Sequence, residues 1–211
     1  MVDEPLWDLA GRRPEVAQLL ALVDGQVGPA GAQLLDALRE KDASTFDHAC
    51  RSAAFAAELV VDLRLTRAES ELAVRAALFH DVGKVAIPDE ILLHPGRLEA
   101  DQWVVMQSHA EQGGRLLATQ DEVADLAEAV GAHHESWDGG GYAGGLAGGD
   151  IPLAARVVSV ADSVDAMRSS RRYRDGNLTV DGVTEVLEDR AGVQWDPDVV
   201  PVAVALLHRA G

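Results

Sequence analysis

The sequence predicts an all-α protein, and three observations carry that expectation. Aromatic residues make up only 4% of the 211-residue chain while alanine is abundant, so the interior must be packed by closely approaching Ala- and Leu-rich helices. Helix punctuation recurs: Thr66-Arg67-Ala68-Glu69 reads as a capping box and Thr119-Gln120-Asp121-Glu122 as a second. No stretch reads as a strong strand, an internal repeat or a disordered linker.

The length suits one catalytic-sized domain, residues 44–211, preceded by a short helical extension, residues 1–43. Helices are expected in that extension near residues 14–23 and 29–41, parted by the turn-like Asp24-Gly25. A long amphipathic helix over residues 46–63, capped by Ser44 or Thr45, carries His48. The Thr66 box opens a helix through Leu72, Ala76 and Phe79 to the pair His80-Asp81, with Gly83 as its stop. A looser segment from Ile87 to Arg97 leads to a helix over residues 99–118 bearing His109. The second box then opens a helix that ends at His133-His134. Seven of the 20 glycines crowd into residues 139–149, which marks a loop of unusual backbone angles or close approach to a ligand. Pro152 suits the first turn of a helix running through Asp162 and Asp165 to about Ser170. Two closing helices are expected over residues 178–189 and 197–209.

Charge and composition exclude several classes. A formal net charge of -17 argues against wholesale DNA or RNA binding, which needs a basic surface facing the phosphates, so any nucleotide ligand must be small and locally held. Of the 18 basic residues only Lys41 and Lys84 are lysines. A lysine placed directly after the His80-Asp81 pair therefore stands out, because an ammonium is a compact point charge where a guanidinium is a planar fork. Cys50 is the only cysteine, so neither an intramolecular disulfide nor a thiolate cluster is available. The N-terminus lacks the apolar core of a signal peptide and no run of about 18 apolar residues reads as a membrane span, so a soluble, cytoplasmic protein is expected.

The chemistry lies in the histidines. A lone histidine on an apolar helix is usually a satisfied core residue, but adjacent polar pairs such as His80-Asp81 and His133-His134 are costly to bury without a shared partner. Neighbouring side chains on a helix diverge by about 100°. Each pair is thus expected to address two ions a few Å apart, with Asp81 as the bridging ligand. Imidazole and carboxylate donors suit iron or manganese, with zinc, nickel or cobalt as alternatives. Two such metals activate water and polarise a phosphoryl oxygen, the requirement for phosphoester hydrolysis. Lys84 would then sit beside the phosphate. The arginine cluster Arg168-Ser169-Ser170-Arg171-Arg172-Tyr173-Arg174 follows Asp162 closely and is read as a phosphate- or purine-contacting segment.

These blocks resemble the HD-GYP family, the metal-dependent branch of the HD superfamily associated with hydrolysis of the bacterial messenger cyclic di-GMP. The resemblance runs from about Thr45 to Val200 through TFDHACR, ALFHDVGKVAIPDEILLHPGRL, MQSHAEQGGRLL, AHHESWDGGGYAGGL, IPLAARVVSVADSVDAM and SSRRYR, with QWDP near the end. It implies an HD-superfamily helical bundle around a binuclear metal site. The family's metal ligands fall on His48, His80, Asp81, His109, His133, His134 and Asp162, with Asp81 bridging. Asp81 and Lys84 would be catalytic, and substrate contacts fall on Lys84, Arg171, Arg174 and Tyr142. The implied reaction converts cyclic di-GMP to linear pGpG, and in a second step GMP, by a hydroxide held between the metals.

Four positions depart from the family pattern, one of them His94, which replaces a frequent lysine. Ala143 replaces the proline after Gly141-Tyr142, which frees a fixed backbone angle in the loop from Gly139 to Gly145, the expected surface for a signalling partner. Ser136 stands where a basic residue is usual. Ser44 occupies the place of a glutamate that binds a third metal in trinuclear members, so two metals are expected. Two alternatives remain beside the leading reading: a phosphohydrolase of another cyclic dinucleotide, and a signalling module that binds metal and nucleotide with little turnover. A homodimer is compatible with all three.

Overall fold

Helix α3 (Ala43–Asp62) is the axis around which the other helices assemble, in a computed structural model that describes residues 12–169 and 178–210. Its buried face is largely alanine, Ala49, Ala53, Ala56 and Ala57, which lets its neighbours approach closely. The cap differs from expectation. Asp42, extended at φ -155°, takes that role by accepting from the Ser44 amide at 3.1 Å, and Ser44 and Thr45 lie inside the first turn, donating their hydroxyls to the same carboxylate.

Two helices precede α3: α1 (Pro14–Gly25) and α2 (Gly28–Lys41). Their apolar residues Val16, Leu20, Val23, Leu35 and Leu38 are fully buried in one core with residues of α3 and of the later helices. Next comes α4 (Arg67–Phe79), opened by a complete capping box in which the Thr66 amide donates to Glu69 at 2.9 Å and the Glu69 amide donates to the Thr66 hydroxyl at 3.3 Å.

Gly83 does not stop α4. The helix ends at Phe79 and a 3-10 turn, Val82–Ala86, continues straight over the glycine. The glycine is there for proximity instead: a Cβ on it would lie 2.0 Å from the His109 carbonyl oxygen and 2.5 Å from the Gly113 amide nitrogen.

The segment expected to be loose contains the single turn α5 (Asp89–Leu92), and the helix expected over residues 99–118 is two helices, α6 (Ala100–Gln107) and α7 (His109–Ala118). The break falls at Ser108, whose amide and hydroxyl both turn back onto the Val105 carbonyl, at 3.1 and 2.6 Å. The second capping box does not form. The Thr119 hydroxyl donates to the Leu116 carbonyl and closes α7, while the Glu122 carboxylate reaches across the fold to accept the Ala30 amide at 2.9 Å in the first turn of α2. Tertiary contact thus overrides the local motif, and only a 3-10 turn, Ala124–Leu126, and the short α8 (Ala127–Gly131) precede the histidine pair.

After the glycine-rich loop, Pro152 caps α9 (Leu153–Arg168), which packs on α3, α4 and α8. Helices α10 (Val180–Asp189) and α11 (Val200–Ala210) close the bundle against α9 and α3. The described residues contain no strand, only an isolated bridge between Ala191 and Trp195. Among them, no helix is long and apolar enough to cross a membrane.

A candidate metal centre

Five histidines and two aspartates converge where the first turns of α3 meet the end of α4, the start of α7, the exit of α8 and the middle of α9. Three of the imidazoles are held in one way. His80 Nδ1 donates to the Ala77 carbonyl at 2.7 Å, His109 Nδ1 to that of Met106 at 2.7 Å, and His133 Nδ1 to that of Val130 at 2.6 Å. A carbonyl can only accept, so Nδ1 carries the proton in each ring and Nε2 is left as a bare lone pair. All three Nε2 atoms are buried without a hydrogen-bond partner. Three orphaned acceptors in one place are expensive unless something electrophilic meets them.

The donors sort into two groups. One ligand atom each from His48, His80 and Asp162 lies within 4.8 Å of the others, and the same holds for His109, His133 and His134. Asp81, 2% exposed, stands between them. Its Oδ2 is 3.4 Å from His80 Nε2 and its Oδ1 3.4 Å from His109 Nε2. His133 and His134, expected to address two ions, both lie within reach of His109, their own ring centroids 4.0 Å apart. The reason is local. Helix α8 ends at Gly131, so the pair lies beyond the helix and the 100° rule does not govern it.

Charge is distributed as a cation site requires. Burial would raise the carboxyl of Asp81, but the Lys84 ammonium, foremost among its neighbours, holds it well below the usual range, with Lys84 Nζ donating to its Oδ2 at 2.7 Å. Burial likewise opposes ionisation of Asp162, where His48 prevails and keeps it ionised. Burial, then the neighbouring His134 and His80, drive His133 well below an ordinary histidine, and burial takes His134 down to about 4. Neutral imidazoles at His133 and His134 beside ionised carboxylates at Asp81 and Asp162 are the protonation states that divalent metals bind, whereas His48, held between two carboxylates, would have to release a proton to join them.

His48 has a partner that sequence reasoning missed. Its Nε2 faces Asp162 Oδ1 at 2.9 Å and its Nδ1 faces Asp165 Oδ2 at 2.6 Å. Asp165 is in turn gripped by Arg51 Nε and a second guanidinium nitrogen at 2.8 and 3.0 Å, and by the Ser169 hydroxyl at 3.2 Å. Burial opposes protonation of His48, but the two carboxylates raise it to about 9. The signal was present: Asp162 and Asp165 are three residues apart on α9, as His48 and Arg51 are on α3, so each pair shares a face. A carboxylate behind a ligating histidine fixes ring orientation and basicity, so Asp165→Asn should weaken metal affinity by about 10- to 100-fold with the fold retained. Metal titration of the stripped variant followed by calorimetry checks this, and unchanged affinity would remove Asp165 from the site.

Tyr142, in the glycine-rich loop, lays its ring 4.9 Å from that of His134 at 32°. Arg171 and Arg174, with Ser170, Arg172 and Tyr173, lie outside the described residues.

A family model for the HD domain matches residues 33–199. Among curated proteins the chain is similar to a 3'3'-cGAMP-specific phosphodiesterase of Vibrio cholerae, 37% identical over 169 residues that cover 79% of this chain and 32% of that protein. It is also similar to a cyclic di-GMP phosphodiesterase response regulator of Xanthomonas campestris, 37% identical over 171 residues, 80% of this chain and 45% of that protein. A solved HDG"Y"P protein from Bdellovibrio bacteriovorus shares the fold, with a TM-score of 0.64 at 16% identity over 97% of this chain and 76% of that one. The chain belongs to the HD-domain family, which implies a divalent-metal centre, and the two ligand groups of five histidines and Asp162, with Asp81 between them, fit one. Within that family the assignment is to the HD-GYP branch that its motifs resemble. The chain spans less than half the length of these two curated relatives.

Proposed function

We propose that the chain is a metal-dependent phosphodiesterase that opens cyclic di-GMP to linear pGpG and, in a second hydrolysis, GMP. The observation that carries the reading is the trio of buried Nε2 atoms without a hydrogen bond on His80, His109 and His133, gathered about the ionised Asp81. His48, His80 and Asp162 would hold one divalent cation and His109, His133 and His134 the other, with Asp81 offering one oxygen to each. The Ser44 hydroxyl donates to Asp42, and no glutamate stands at its place, which favours two metals over three. The all-nitrogen-and-oxygen donor set favours iron or manganese over metals that prefer thiolate.

When bound, such a pair polarises a phosphoryl oxygen and activates water near neutral pH. The chain supplies the rest. Lys84, with its side chain 18% exposed, presents an ammonium at Asp81 that would also donate to a nonbridging phosphate oxygen. Tyr142 sits at the rim, where its ring can meet a base. Arg171 and Arg174 are proposed as further phosphate contacts. Hydrolysis places a water oxygen on phosphorus and breaks its bond to O3′, so a 5′-phosphate and a free 3′-hydroxyl result. The likeness to a 3'3'-cGAMP-specific enzyme supports a second reading, in which the hybrid dinucleotide is preferred.

A substrate panel decides. Metal-loaded protein should convert cyclic di-GMP to pGpG, and chelation should stop conversion until Mn(II) or Fe(II) is returned. Faster turnover of 3'3'-cGAMP would install the second reading. Tight binding of every cyclic dinucleotide with no product over hours would replace both by a signalling role, exercised through the loop from Gly139 to Gly145.

A further inference from the structure

Glu135, directly after the histidine pair, is 4% exposed, and the proposed reaction gives it no task. Its Oε1 accepts the Leu146 amide at 3.2 Å. Its Oε2 is buried without a partner, and the residue borders a small cavity of about 10 Å³, also lined by Trp137, Arg156, Ser159, Gln194 and Asp196. Arg156 pairs with Asp196 at 2.6 Å, so that cation is already engaged. A buried carboxylate in this position is costly, and its one hydrogen bond reaches the far limb of the glycine-rich loop.

The loop lies close on the segment that bears the histidines. A Cβ on Gly141 would fall 2.5 Å from the Ser136 amide nitrogen and 2.7 Å from the His134 carbonyl oxygen, so this limb rests directly on the backbone of residues 134–136. The opposite limb returns to the same segment through Leu146 on Glu135, and a Cβ on Gly144 would be only 3.2 Å from Glu135 Oε1. Between the two limbs stands Tyr142, its ring over His134.

We propose that Glu135 is a positioning residue that closes the loop from Gly141 to Leu146 and thereby sets the Tyr142 ring over His134. The inference rests on the functional reading for its catalytic meaning, but its structural content is independent of turnover. A glutamine keeps an acceptor for the Leu146 amide, whereas an alanine has none. Proline at position 146 removes the donor from the other side.

Limited chymotrypsin digestion after Tyr142 reads the closure without any substrate. Loss of the hydrogen bond from the Leu146 amide should speed cleavage by about tenfold in Glu135→Ala and in Leu146→Pro, and leave Glu135→Gln within about threefold of the parent protein. Metal content should stay at the parent level in all three. In metal-loaded protein KM for the cyclic dinucleotide should rise in the alanine variant more than kcat falls, with glutamine restoring it. Unchanged cleavage in both Glu135→Ala and Leu146→Pro overturns the proposal. So does faster cleavage accompanied by metal loss, which would make Glu135 a prop for the histidines. Absence of hydrolysis in the parent protein would refute the proposed function and leave the digestion result standing.

Discussion

Asp81→Asn should cut bound metal by half or more and lower turnover by at least about a thousandfold, equivalent to about 4 kcal/mol of lost transition-state stabilisation. Asparagine matches aspartate in shape, so packing is kept and the change is one of charge and donor number. A carboxylate presents two anionic oxygens, one towards His80 and one towards His109. An amide presents one neutral oxygen and an NH₂ group that repels a cation. Lys84 simultaneously loses its ionic partner. Elemental analysis of anaerobically prepared protein, paired with a product assay, measures both effects, and retention of full metal content and full activity would dispose of the two-metal reading.

Gly83→Ala should destabilise the protein by at least about 3 kcal/mol, lowering Tm by about 6 to 12 °C. The added methyl cannot be accommodated by rotating a side chain, because the atoms it meets are backbone: the His109 carbonyl at 2.0 Å and the Gly113 amide at 2.5 Å. Helix α7 must withdraw, carrying His109 with it, so metal binding should weaken alongside stability. Gly131→Ala is the matched control. Nothing lies within 4 Å of a Cβ there, and alanine suits the end of α8, so stability should rise slightly or hold within about 1 kcal/mol. Calorimetry of the two variants side by side separates a general intolerance of substitution from this one contact, and equal melting temperatures would refute the packing argument.

The helices were legible in the sequence because most of them are decided locally. Thr66 and Glu69 are three residues apart and find each other without help from the fold. The same pattern at Thr119 and Glu122 was misleading because Glu122 had a better use 92 residues away, at the first turn of α2. Gly83 resembles a stop, since that is what a glycine near a helix end ordinarily is; its real constraint is the backbone of α7, invisible along the chain. The break at Ser108 depends on a hydroxyl choosing a carbonyl over solvent. The candidate ligands could be picked out as types and positions, and the structure brings all seven together. Their division into groups could not be foreseen, because it depends on where α8 ends. Asp165 escaped notice for a related reason. Its role is defined wholly by what stands across from it on α3.

The carbonyl bonds at Ala77, Met106 and Val130 bear on how the protein meets its metals. Each is made within the same turn as its histidine, by backbone that the α-helical fold already fixes. The rings are therefore aimed by the backbone itself, whereas small domains that fold only around zinc have theirs set by the metal. A metal centre built on such rings would take its ion by exchange with the surroundings rather than by the act of folding, so chelation should empty it without unfolding the chain.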